Sequence, residues 1–160
     1  FEEASRESSM GLTVLRGGEA LDLTLDTMPL SGKGIERVLR FGGALVHEVP
    51  RTVADQRGVA MEGVYVAWCS YGAPCARDKL RPTRRIVAVN GETVRDLDHF
   101  SELVSTHETG EPISIRTLDL WDQPSKLALR PDLHYWPTSW IVRDDSGAWS
   151  HVPWESYTKD

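Results

Sequence analysis

The chain has 160 residues, 40% hydrophobic and 26% charged, enough for one globular domain with an appended piece. Its net charge of −6 excludes a broad electrostatic surface for nucleic acid or an acidic membrane. No apolar run approaches the roughly 20 residues that a membrane-spanning helix needs, so neither nucleic acid nor membrane is expected as a partner.

The chain opens on Phe1-Glu2-Glu3-Ala4-Ser5, without an initiator Met or the apolar core of a signal peptide, and reads as a fragment of a longer protein. Residues 1–10 are charged, Ser-rich and without period, a frayed lead-in. Leu12–Leu15 and Ala20–Leu25 form a hairpin by pattern, with Gly17-Gly18 at the turn. Met28–Lys33 reads as a linker, and Ile35–Arg40 as a helical turn carrying Ile35, Val38 and Leu39 inward. Phe41-Gly42-Gly43-Ala44 then opens the strand Leu45-Val46-His47-Glu48. Paired glycines before a strand serve either as a plain turn or as a concavity of N–H groups that holds an anion such as a carboxylate.

Arg51–Arg57 is predicted as a short helix led by Pro50. Gly63–Trp68 is a strand rich in β-branched and aromatic residues. A single helical turn is expected over Cys75–Leu80. The stretch Ile86–Val94 organises the middle of the chain: an apolar strand, the turn Asn90-Gly91, and a short return. In the next helix, Leu97, Phe100, Leu103 and Val104 form a stripe that packs on a sheet, and Gly110 stops the chain beyond it. Ile113–Leu120 and Lys126–Leu129 make a second hairpin. Trp140–Arg143 and Ala148–Val152 make a third, behind the aromatic knot Leu133–Pro137, and four of the six tryptophans lie after residue 130. This tail is expected to pack onto the domain, or else to offer an aromatic platform to a partner.

Cys69 and Cys75 are too few for a disulfide framework, and their spacing matches no common zinc pattern. Two reduced, partly buried thiols of an intracellular protein are expected, with a local disulfide or a reactive thiol as the alternatives. Neither a metal nor a cofactor is expected.

Phe41–Glu48, Glu62–Ala67, Asp132–Thr138, and Val89-Asn90-Gly91 with Asp96–Phe100 together resemble a PDZ-like domain of the large eukaryotic HtrA/Deg serine proteases, over residues 39–145. The implied fold is α+β: a small antiparallel β-barrel or sandwich with two helices, an N-terminal β-hairpin and an aromatic-rich C-terminal β extension. The implied segments are 1–38 (lead-in, hairpin and linker, or the end of a preceding PDZ), 39–131 (the PDZ-like domain) and 132–160 (the extension). PDZ domains take an extended peptide as an added strand between a sheet edge and the long helix. By position, Phe41, Gly42, Gly43 and Ala44 would form the carboxylate loop, and Leu45, Val46 and His47 the pairing strand. His99 and Leu103 would form the groove wall, one helical turn apart. His99 falls where many PDZ domains carry a ligand-binding histidine. Gly42 departs from the pattern, standing where a large apolar residue usually lines the terminal pocket.

No Gly-x-Ser-Gly nucleophile loop occurs, and no spacing of histidines and acids marks a triad, so the fragment is read as non-catalytic within a parent serine endopeptidase. The resemblance implies two functions. One is a regulatory module for protein quality control that binds peptides, protein C-termini or misfolded substrates. The other is a degenerate PDZ with a blocked groove, docking against other modules of the parent protease and assembling its oligomer. Fungal relatives imply the nucleus, and plant relatives the chloroplast.

Overall fold

The computed structural model describes residues 9–27 and 34–157. Two compact units divide at Gly34. In the first, β1 (Ser9–Arg16) and β2 (Glu19–Asp26) form an antiparallel hairpin around Gly17-Gly18. Its register sets Met10, Leu12 and Val14 opposite Leu25, Leu23 and Leu21, so six apolar residues share one face. The predicted linker Met28–Lys33 lies outside the described residues.

The second unit is built on a nine-stranded antiparallel sheet. Its strands are β3 (Arg37–Phe41), β4 (Ala44–Glu48), β5 (Val64–Cys69), β6 (Arg85–Val89), β7 (Glu92–Thr93), β8 (Ile113–Leu118), β9 (Pro124–Leu129), β10 (Ser139–Arg143) and β11 (Trp149–Pro153). They lie in the order β11-β10-β3-β4-β5-β6-β8-β9, with β7 also on β6. Three α-helices accompany them: α1 (Arg51–Arg57), α2 (Pro74–Arg77) and α3 (Leu97–Ser105). The architecture is the expected PDZ-like α+β fold, with the one-turn α2 as a third helix.

Every residue of β6 is buried, which is why Ile86–Val89 reads as a continuous apolar run rather than an alternating one. The Asn90-Gly91 turn then returns the chain as β7, and the Asn90 side chain ties it to β8 by accepting from the Ser114 N–H at 2.8 Å. Asp96 caps α3 by accepting from the His99 N–H at 2.8 Å. Leu97, Phe100 and Val104 are buried beneath the helix, while Leu103 is only half-buried.

Ile35–Arg40 does not form the expected helical turn. Arg37–Phe41 is strand β3, held between β4 and β10. Apolar residues at Ile35, Val38 and Leu39 suit a helical turn on spacing alone, and two flanking ladders decide for the strand. The C-terminal extension joins the same sheet through β10. There Trp140 is buried, stacked between Tyr157 (4.5 Å between centroids) and Trp154 (6.2 Å).

Candidate peptide-binding groove

The resemblance to PDZ domains makes the space between β4 and α3 the candidate groove. Both edges of β4 are paired within the chain. On one side Ala44–Glu48 meets β5, with a register shift between Leu45 and Val46. On the other, Leu39 pairs with Val46, Arg40 with Leu45 and Phe41 with Ala44. Strand β3 thus runs antiparallel to β4, on the edge where an added peptide strand would lie.

Side chains tie β3 to α3 at both ends. The Phe41 and Phe100 rings meet edge to face, with centroids 5.8 Å apart and planes at 86°. The Arg37 guanidinium grips Asp98 with both nitrogens, Nη1 to Oδ1 at 2.5 Å and Nη2 to Oδ2 at 2.9 Å. Nη2 also donates to Glu48 Oε1 at 3.0 Å, and the guanidinium lies 5.8 Å from the Trp140 ring centre. The Asp98 hydrogen bond is the largest influence on Arg37; it outweighs desolvation and pushes the pKa further up, keeping the cation fixed. Leu39, between the two anchors, is fully buried.

Gly42 and Gly43 form the two-residue turn joining β3 to β4, with φ of 53° and 79°. Two successive positive φ values define the hairpin turn whose twist matches that of the strands. Both residues are buried. The Gly42 carbonyl accepts from the Cys75 N–H at 3.0 Å and the Gly43 carbonyl from the Ser70 N–H at 2.9 Å. A Cβ on Gly43 would stand 2.2 Å from the Ala73 Cβ and 3.1 Å from the Trp136 ring, and one on Gly42 would stand 3.2 Å from Leu129. The loop expected to cradle a carboxylate is here a tight turn under a lid of side chains.

That lid is stapled. Cys69 and Cys75 form a disulfide, correcting the expectation of two free thiols. Six residues of separation permit a bridge but cannot require one; what brings the sulfurs together is the break in β5 at Ser70 and the return of the chain as α2.

The other residues expected at the site lie on β4 and α3. Leu45 is half-buried, and Val46 is fully buried. His47 is buried, and its Nδ1–H donates to the Glu48 carbonyl at 2.7 Å. Burial is the main cause that lowers the His47 pKa, so the ring sits neutral. Both ring nitrogens of His99 are engaged locally: Nδ1 accepts from Arg95 (3.4 Å from N and 3.3 Å from Nε), and Nε2 donates to Glu92 at 3.1 Å. Among the described residues no group of histidines, cysteines and acids is arranged to hold a metal.

Sequence reasoning missed Arg37 and Asp98 as partners. Only the β3–β4 hairpin had a signal, since Gly42-Gly43 stands between two short apolar runs just as Gly17-Gly18 does, and paired glycines there announce a hairpin.

Comparison with known proteins gives the same assignment. Residues 35–108 match the PDZ-like domain family. Protease Do-like 7 of Arabidopsis thaliana is 38% identical over 143 residues, covering 87% of this chain and 13% of that protein. The pro-apoptotic serine protease NMA111 of Coccidioides immitis (strain RS) is 27% identical over 146 residues, covering 91% of this chain and 14% of that protein. The chain therefore spans a small part of the length of these curated relatives. A solved structure of the HtrA-type protease AlgW with a decapeptide aligns at a TM-score of 0.51 and 23% identity, over 59% of this chain and 29% of that one, a likeness of fold. On these matches residues 35–108 form a PDZ-like domain, and the chain is similar over most of its length to a segment of HtrA/Deg-type serine proteases.

Proposed function

We propose that this chain is a non-catalytic regulatory module of an HtrA-type serine protease whose groove is held by its own β3. In this state it serves to dock against neighbouring modules and to assemble the parent enzyme, rather than to capture free C-termini. The observation that carries the reading is the pairing of β4 on both edges, by β5 and by β3. Protease activity enters through the relatives' names, while substrates and a role in protein quality control are proposed for the whole protein on the resemblance alone.

A second reading, capture of a substrate peptide by strand addition at Leu45–His47, is favoured by the decapeptide in the AlgW structure. It requires β3 to leave first. A tethered strand competes at an effective concentration in the millimolar range, so a free peptide is at a disadvantage. As to compartment, disulfides are rare in the reducing nucleus and cytosol, and the Cys69–Cys75 bond weighs towards an oxidising setting.

Titration of the chain with a library of labelled C-terminal peptides tests the proposal. No saturable binding is expected up to ~1 mM, a free energy of only about 4 kcal/mol. Saturation by any free-carboxylate peptide well below that concentration would overturn it.

A further inference from the structure

Resting on the reading that β3 holds the groove, the geometry points to the class of segment the groove accepts. We infer that it takes an extended internal strand of pattern Arg-x-Leu-x-Phe, running antiparallel to β4, and that β3 is the resident example. Alternate strand residues share a face, and Arg37, Leu39 and Phe41 are the three that do so here.

Each of the three positions is specified by its surroundings. At Phe41 the ring stands edge-on to Phe100 and is 1% exposed, so the position selects an aromatic ring over a small or charged side chain. Leu39 is 0% exposed, and a polar group there would be buried. At Arg37, the carboxylates of Asp98 and Glu48 converge from α3 and β4 on one guanidinium. The two-toothed contact with Asp98 fits the planar fork of arginine better than the point charge of lysine, and it repels an acid. The two x positions carry less information: Val38 lies opposite Ile141 of β10, and Arg40 lies over Trp136.

The segment is internal, not terminal. Beyond Phe41, where a ligand's carboxylate would have to sit, the chain continues through Gly42 and Gly43. Their carbonyls are bonded to the Cys75 and Ser70 amides, and Ala73 and Trp136 close over the turn. The accepted partner is therefore the arm of a hairpin or another extended stretch with no free C-terminus.

The test uses the full chain carrying Arg37→Glu, which sets β3 against Asp98 and Glu48. It is titrated by fluorescence anisotropy with an end-blocked peptide of the native 35–43 sequence, and with the same peptide in which the first arginine is glutamate. Saturable sub-millimolar binding of the native peptide is expected, at least tenfold weaker for the charge-reversed one. Equal binding of the two, or binding of neither, would overturn the inference. Should Arg37→Glu fail to fold, Arg37→Ala takes its place under the same criteria. Failure of the underlying reading would look different, because the unsubstituted chain would itself bind free C-terminal peptides.

Discussion

Gly43 stands so close to Ala73 that the turn between β3 and β4 has no room for a side chain: an added Cβ would lie 2.2 Å from the Ala73 Cβ. Gly110 has nearly the same φ, 81° against 79°, yet a Cβ there meets nothing within 4 Å. The pair separates backbone strain from packing. Gly110→Ala should cost about 1–2 kcal/mol for the left-handed conformation alone. Gly43→Ala adds an overpacking cost of about 1–3 kcal/mol. Chemical denaturation of both variants checks the difference, and equal losses would place the lid away from the turn.

The Cys69–Cys75 bridge closes a short loop, with a sequence separation of 6. Chain-entropy reasoning for a loop of that size gives about 2 kcal/mol of stabilisation. Treatment with a dithiol reductant, or Cys69→Ser with Cys75→Ser, should lower the unfolding midpoint accordingly. Amides of Ser70 and Cys75, which bond the turn carbonyls, should exchange faster in the reduced chain.

His47 contributes a pH dependence of definite sign. Burial is the first cause of its lowered pKa, opposed by the hydrogen bond to the Glu48 carbonyl and by the Glu48 charge. Because the folded pKa lies below the unfolded value of about 6.5, the folded state binds fewer protons there. The stability that His47 contributes is complete above that value and is lost as pH falls through it towards the folded pKa. Thermal unfolding at pH 7.5 and 5.5 should show a smaller loss on acidification for His47→Gln than for the native chain. An identical loss would mean that His47 is not buried neutral.

Arg85 is 3% exposed, and its Nε has no hydrogen-bond partner, while Nη1 donates to the Ala60 carbonyl at 2.8 Å and Nη2 to Asp122. A buried cation of this kind contributes little net stability, but stripping its partner leaves the charge uncompensated. Arg85→Met should fall within about 1 kcal/mol of the native chain by the same reasoning, on either side. Asp122→Asn should cost about 1–3 kcal/mol. Denaturation midpoints decide, and the reverse order would contradict the account.

Much of the fold was legible because its signals are local. The β6 run, the Asn90-Gly91 turn, the apolar stripe of α3 and three hairpins each announce themselves in a few residues. The features that were not legible depended on distant partners. Ile35–Arg40 suits a helical turn until β4 and β10 flank it. Cys69 and Cys75 are ambiguous until β5 ends and α2 returns. Gly42-Gly43 by itself reads first as a turn and only second as a cradle, and the pairing of Phe41 with Ala44 across it shows the turn. The Arg37–Asp98 clasp joins residues 61 positions apart, beyond the reach of any periodicity.

Whether β3 occupies the edge of β4 beside α3 can be read by nuclear magnetic resonance of the chain without added ligand. Cross-strand nuclear Overhauser contacts are expected between Leu39 and Val46 and between Arg40 and Leu45, with ring contacts between Phe41 and Phe100 and slowly exchanging amides throughout β4. Absence of the cross-strand contacts, with rapid exchange along Arg37–Phe41, would show an open edge and contradict that occupancy.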